Sequence, residues 1–153
     1  MSSGPEASAP RSGEFFAPLP LAALALLVVN DVYLKAKFHN FVTGKLSDLA
    51  VCFLMPLFLS ELLGLTLGIA PRLRLTMGAA TTAVLFSVLE VVPSAAAWSV
   101  NLLSRIGPHL GLGCHYAMTA DITDLACVPV VLLAYGYGWR RVLGVVRAPE
   151  LSA

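Results

Sequence analysis

At 153 residues the chain has room for one domain, and 58% of it is apolar while only 12% is charged. A soluble domain carries about 25% charged residues, so too little charge is present here to cover a water-facing surface, and a soluble globular fold is excluded. The formal net charge of +1 offers no basis for nucleic-acid binding, and three cysteines without a C-x-x-C pair offer none for a disulfide framework or a zinc site.

Residues 1–14 (MSSGPEASAPRSGE) are rich in Ser, Pro and Gly and are expected to form a disordered tail. A first apolar run follows from Phe15 to about Leu34. Arg11 before it is offset by Glu6 and Glu14, and no small-x-small cleavage site comes after it. It therefore reads as a retained anchor rather than a signal peptide. The second run, Leu49–Ala70, holds 22 residues and one charge, Glu61, with Arg72 and Arg74 as partners toward which it could snorkel. Pro71-Arg-Leu-Arg74 reads as a short basic turn. The third run, Leu75–Val100, is interrupted only by Glu90 and Pro93. At 1.5 Å per residue each of these runs can cross a hydrocarbon core of about 30 Å.

The fourth run, Leu125–Trp139, has 15 residues, about 22 Å of helix, and is too short to span alone. It has to recruit Asp121-Ile-Thr-Asp124 or continue past Arg140 and Arg141. Tyr135, Tyr137 and Trp139 before the arginine pair resemble an interfacial belt, which favours recruiting the aspartates. Between the third and fourth runs, Trp98, Leu102, Leu103 and Ile106 predict a short helix lying in the interface, followed by a Gly-rich loop. The expected fold is thus all-α, with transmembrane helices at about 15–34, 46–70, 75–99 and 121–141 in a domain over 15–146, and a C-terminal tail at 147–153.

Six basic residues (Arg11, Arg72, Arg74, Arg140, Arg141, Arg147) fall on one side of these spans and four (Lys35, Lys37, Lys45, Arg105) on the other. The count favours both termini in the cytoplasm, although the three lysines after the first run argue the opposite way. Thr43-Gly-Lys-Leu-Ser-Asp-Leu-Ala50 and Thr119-Ala-Asp-Ile-Thr-Asp-Leu-Ala126 agree at four of eight positions, and each enters an even-numbered span. Two helix pairs of the same orientation, related by duplication, are one explanation of that echo.

Asn30, Asp31, Asp48, Glu90, Asp121 and Asp124 all map to one side of the membrane, with Lys35, Lys37, Lys45, His39 and His115 near them in sequence. Ionisable residues within a span cost about 2.5–3.5 kcal/mol at the centre on insertion scales, and they usually face the bundle interior and pair. A polar pocket between the helices, lined by these six residues and Lys45, is the functional expectation. The structural alternative is a pair of helix starts. Asp48 and Asp124 would then complement helix dipoles, with Thr43, Ser47, Thr119 and Thr123 as caps, while Asp31 pairs with Lys35 at i+4. Pro56 and Pro129 fall inside spans and would free the carbonyls of Cys52 and Leu125 for a cation, or simply kink the helices. His109, Cys114 and His115 match no metal-site spacing, and Cys52 and Cys127 read as small packing residues. No metal or cofactor is expected, and the sequence contains no H-E-x-x-H, G-x-S-x-G or P-loop.

The layout resembles the VanZ-like family of small bacterial membrane proteins. These have four helices, an acidic residue in the third and an Asp at the start of the fourth, matched here by Glu90 in VLFSVLEVVPS and Asp124 in ADITDLA. The chain departs from the family where Lys45-Leu-Ser-Asp48 lacks a following His and Cys127-Val-Pro129 replaces an Asn and a Gly. The resemblance implies a cell-envelope protein and adds little on mechanism. Three functions fit such a pocket. In order of preference they are a non-enzymatic envelope protein binding a lipid head group, peptide or cation; a proton- or cation-coupled carrier, working as a homo-oligomer because four helices enclose little pathway; and an intramembrane acid–base enzyme. Beyond the lipid bilayer and further copies of itself, no partner is implied.

Overall fold

The structure, a computed structural model, describes residues 14–38, 41–110 and 120–147. Every element among them is helical. A 3-10 turn, Glu14–Phe16, leads into α1 (Pro18–Val29), which passes through a π-helical turn at Asn30–Leu34 and ends at Lys35–Phe38. Then come α2 (Phe41–Leu67), α3 (Pro71–Val91), α4 (Pro93–Ile106) and, after a 3-10 turn at Ile122–Cys127, α5 (Pro129–Arg147). Four stretches, Pro18–Phe38, Val42–Leu67, Pro71–Val91 and Ile122–Val142, are long and apolar enough to cross a membrane. The chain is a multi-pass membrane protein by that measure. His39, Cys114, His115, Thr119, the Gly-rich segment and most of both tails lie outside the described residues.

Proline sets the helix starts. Pro18, Pro71 and Pro93 each stand at the first helical position, where a missing N–H costs nothing. Each is preceded by a non-helical residue (Ala17, Ala70, Val92), as the clash with a proline ring requires. This corrects the third span. Pro93 does not merely interrupt it: Val92 is forced to φ −109°, ψ 98°, α3 ends, and the residues up to 99 belong to α4 instead. At the other end Pro71-Arg-Leu-Arg74 is the first turn of α3 and not a loop. The reversal is shorter, with Gly68 at φ +60° supplying the left-handed residue that closes α2. α2 in turn begins at Phe41, five residues before the expected start.

α2 is the hub. It packs against α1, α3 and α5, and α3 also packs against α5. One buried cluster joins Cys52, Ala79, Cys127 and Val131, and a second joins Leu57, Leu75 and Ala134. Cys52 and Cys127 are therefore packing residues where α2, α3 and the fourth span meet. The outside of the bundle is apolar: Leu65 is 77% exposed and Leu132 71%, as lipid-facing side chains should be.

α2 and α3 meet most closely where Gly78 faces Pro56 inside α2. A β-carbon built on Gly78 would lie 2.5 Å from the Pro56 carbonyl oxygen and 3.1 Å from the Ser60 nitrogen. A small residue here lets two backbones touch, a common device where no hydrophobic force holds helices together in lipid. Gly78→Ala is expected to destabilise the detergent-solubilised protein by about 1–3 kcal/mol, despite the better helix propensity of alanine. Gly136→Ala, which meets nothing within 4 Å, should be neutral or stabilising in the same thermal unfolding assay. Equal melting temperatures for the two variants would show that the seam is looser than described.

Candidate functional site

The π-helical turn of α1 begins the site. The Lys35 N–H reaches back five residues to the Asn30 carbonyl, so one extra residue is taken into the turn. Asn30 is fully buried against α2. Its Nδ2 donates to the Thr43 carbonyl at 2.7 Å and to Ser47 Oγ at 2.7 Å, while Ser47 Oγ donates to Asp31 Oδ1 at 2.6 Å. Asp31 also pairs with Lys35 Nζ at 2.9 Å, the i,i+4 partner expected from the sequence. Among the described residues, Asn30 Oδ1 has no hydrogen-bond partner.

A second connection crosses from α2 to the start of the fourth span. Lys45 Nζ donates to Thr123 Oγ1 at 2.8 Å and forms an ion pair with Asp124 in which both side chains are largely covered. A third joins α3 to the same turn, where Glu90 Oε2 accepts the Asp121 N–H at 3.1 Å. Glu90 is only 8% exposed. Asp121 caps the 3-10 turn, accepting the Thr123 N–H at 2.9 Å. That backbone bond, with the Thr123 hydroxyl second, holds the Asp121 carboxyl below the usual carboxylate range.

Asp48 sits among these groups. It lies about two turns inside α2, half-buried, and makes no hydrogen bond or salt bridge among the described residues. Asp124 and Glu90 act on it as like charges, Lys35 and Lys45 as opposite ones. The six expected polar residues and Lys45 thus lie at one end of the bundle, where three polar connections, none of them through Asp48, touch all four spans. Five carboxylates stand at that end, two of them in ion pairs, Asp31 with Lys35 and Asp124 with Lys45. Among the described residues, no three His, Cys, Asp or Glu side chains are grouped closely enough to hold a metal ion.

Several expectations need correction. Asp48 is not a helix-opening residue, because α2 starts at Phe41, and Thr43 and Ser47 are partners of Asn30 rather than caps. The cap of the fourth span is Asp121, not Thr123. The Leu125 carbonyl is not freed by Pro129: it accepts the Val128 N–H at 3.1 Å, and Pro129 opens α5 instead of interrupting it. Arg140 and Arg141 do not end the helix, which runs on to Arg147. The fourth span both recruits the aspartate turn and passes the arginine pair. Thr43, Ser47 and Thr123, cap candidates on the structural alternative, instead accept hydrogen bonds from Asn30 and Lys45. Their i,i+4 spacing (43 and 47) on one face of a helix begun earlier was the signal available.

The opposite end carries cations on aromatic faces. The Arg72 guanidinium lies 5.3 Å from the Trp139 ring centre, Trp139 stacks on Tyr135 at 5.7 Å, and Arg141 lies 5.8 Å from the Tyr137 ring. Arg72 is thereby engaged by Trp139, while Arg74 lies against Gly64, one turn beyond Glu61.

Lys45→Met is expected to lower the melting temperature, because it strands Asp124 in a covered site. Adding Asp124→Asn should recover most of that loss, a coupling that a double-mutant cycle in detergent measures directly. Additive losses would mean that the pair does not brace α2 against the 3-10 turn that opens the fourth span.

Set against family models, curated proteins and solved structures, the chain matches none, so the chemistry of this end of the bundle has to be taken from its own side chains.

Proposed function

We propose that the chain is a non-enzymatic envelope membrane protein whose acidic pocket binds the positively charged, ammonium-type group of a lipid head group or peptide. The observation that carries this is Asp48, half-buried and without a hydrogen bond or salt bridge among the described residues, at the end of the bundle that also holds Glu90 and Asp124. Like charges in a poorly solvated site raise the free energy of one another's ionised forms, and a bound cation relieves it. A metal ion would demand several oxygen ligands within about 2.6 Å, which these groups do not form together. An ammonium, with its donors spread over a larger volume, is met by separated carboxylates.

The Lys/Arg count puts the pocket at the outer face and both termini in the cytoplasm. On that orientation α4, with Trp98, Leu102, Leu103 and Ile106 exposed, rests in the outer interface. The octet echo fits two helix pairs of one orientation. Asn30 ties α1 to the first octet, and Glu90 ties α3 to the second. The likeness of layout to VanZ-like proteins agrees with an envelope role. A carrier is the second reading, favoured by the irregular turns of α1 and of the fourth span beside the carboxylates, where transporters place broken helices.

Ethanolamine serves as the probe. Saturation-transfer NMR on the purified protein should show binding that weakens about tenfold or more in Asp48→Asn combined with Glu90→Gln. Unchanged binding in that variant rejects the pocket. Amine flux into proteoliposomes, lost in the same variant, would establish the carrier instead.

Orientation has its own measurement. With native cysteines replaced, a cysteine at position 5 should resist an impermeant thiol reagent in intact cells and react after permeabilisation. Labelling in intact cells inverts the assignment.

A further inference from the structure

An apolar groove of about 640 Å³ runs along the outside of the bundle between α3 and the fourth span. Thr76, Ala80 and Ser87 line one wall, and Leu125, Leu132 and Tyr135 the other. Two features of its position say what fits it. The first is length. From Thr76 to Ser87 the helix rises about 16 Å, close to half of a hydrocarbon core of about 30 Å. The groove is therefore as deep as one leaflet. The second is its mouth. Ser87 lies three residues before Glu90, on the same helical face, and Leu125 follows Asp124. The groove opens beside the acidic pocket, at Glu90, Asp124 and Lys45, and descends toward the Arg72–Trp139 end.

We infer that this groove seats one acyl chain of a phospholipid whose primary-amine head group occupies the acidic pocket. The inference rests on the pocket reading above and narrows its ligand class to an amine-headed lipid drawn from the leaflet on the pocket side. Small side chains on α3 make room for the chain, and the branched and aromatic residues opposite cover it. Head group and acyl chain have different chemistry, and the two features lie end to end in the order a lipid needs. The carboxylate excess at the mouth favours a cationic amine and disfavours an anionic head group. A primary ammonium can donate three hydrogen bonds, and Glu90 and Asp124 stand next in sequence to the groove residues Ser87 and Leu125 at its mouth.

The experiment uses the full-length protein in native mass spectrometry from detergent, titrated with phosphatidylethanolamine or phosphatidylglycerol. Retention of phosphatidylethanolamine is expected to exceed that of phosphatidylglycerol by about tenfold. Ala80→Phe and, from the facing wall, Leu132→Trp should each remove that preference while ethanolamine binding by NMR stays at the wild-type level. Both positions face outward, and the retained ethanolamine signal shows that each variant is folded. Equal retention of the two lipids, or full retention in both groove variants, overturns the groove while leaving the pocket intact. A shift from dimer to monomer in the groove variants without a change in lipid retention makes the groove a contact between copies and equally overturns it. Loss of neither lipid nor ethanolamine binding in Asp48→Asn combined with Glu90→Gln removes the pocket, and the lipid site with it.

Discussion

A carboxylate drawn into the edge of a hydrocarbon layer has to find a donor, a cation or a proton, and five of them meet at one end of this bundle. Their arrangement hinges on Lys45. It leaves α2, crosses to Thr123 and Asp124, and so draws the aspartate turn of the fourth span against the hub helix. Once that turn is placed, the Asp121 N–H reaches Glu90 and the Asp121 carboxylate caps the turn. Asp31, with Ser47 and Lys35 at hand, completes the set from α1. What is left over is Asp48, and the functional proposal follows from that remainder.

The two ends of the bundle solve different problems. At the arginine end, the guanidinium groups of Arg72 and Arg141 each lie over an aromatic face, and the helices there are regular. Arg72, Arg141, Tyr137 and Trp139 form an anchor of the kind that holds a helix end at an interface. At the acidic end, regular helix gives way twice, to a π turn in α1 and a 3-10 turn before α5. Both irregularities turn polar groups toward α2. A buried Asn30 with an unmatched carbonyl oxygen belongs to the same pattern, since a rigid bundle built only for packing would not retain it. The hydrogen bonds and ion pairs that join different spans are gathered at this end, while the seam between α2, α3 and the fourth span is made by apolar and small side chains.

Between those ends, packing sets how much the bundle can yield. Gly78 against Pro56 locks α3 to α2 near mid-membrane, and Cys52, Ala79, Cys127 and Val131 close the seam above it. α1 is attached mainly through α2. Its polar clasp to Thr43 and Ser47 does at the membrane edge what tight packing does for α3. The groove between α3 and the fourth span exists because α3 shows small residues on its outer side as well as toward α2.

Composition and hydropathy along the chain pointed to a membrane protein with four spans, because 12% charge cannot clothe a soluble surface, three apolar runs are long enough to cross and a fourth becomes so with the aspartate turn before it. Hydropathy also placed Asn30, Asp31, Asp48, Glu90, Asp121 and Asp124 at one level, since position along a helix fixes depth. It could not place helix ends. Hydropathy does not register the turn of polar residues from 41 to 48 as helix, and the proline at 93 breaks a span without lowering its apolar average. The late start that hydropathy gives α2 is what makes Thr43 and Ser47 cap candidates, although both lie inside the helix. Only the tertiary structure decided who pairs with whom: Lys45 lies 79 residues from Asp124, and nothing local in the sequence joins them. Depth is a one-dimensional property that a sequence carries directly. Azimuth around each helix, and hence which carboxylate meets the lysine and which is left without a partner, is settled only when α2 has packed against the other three spans.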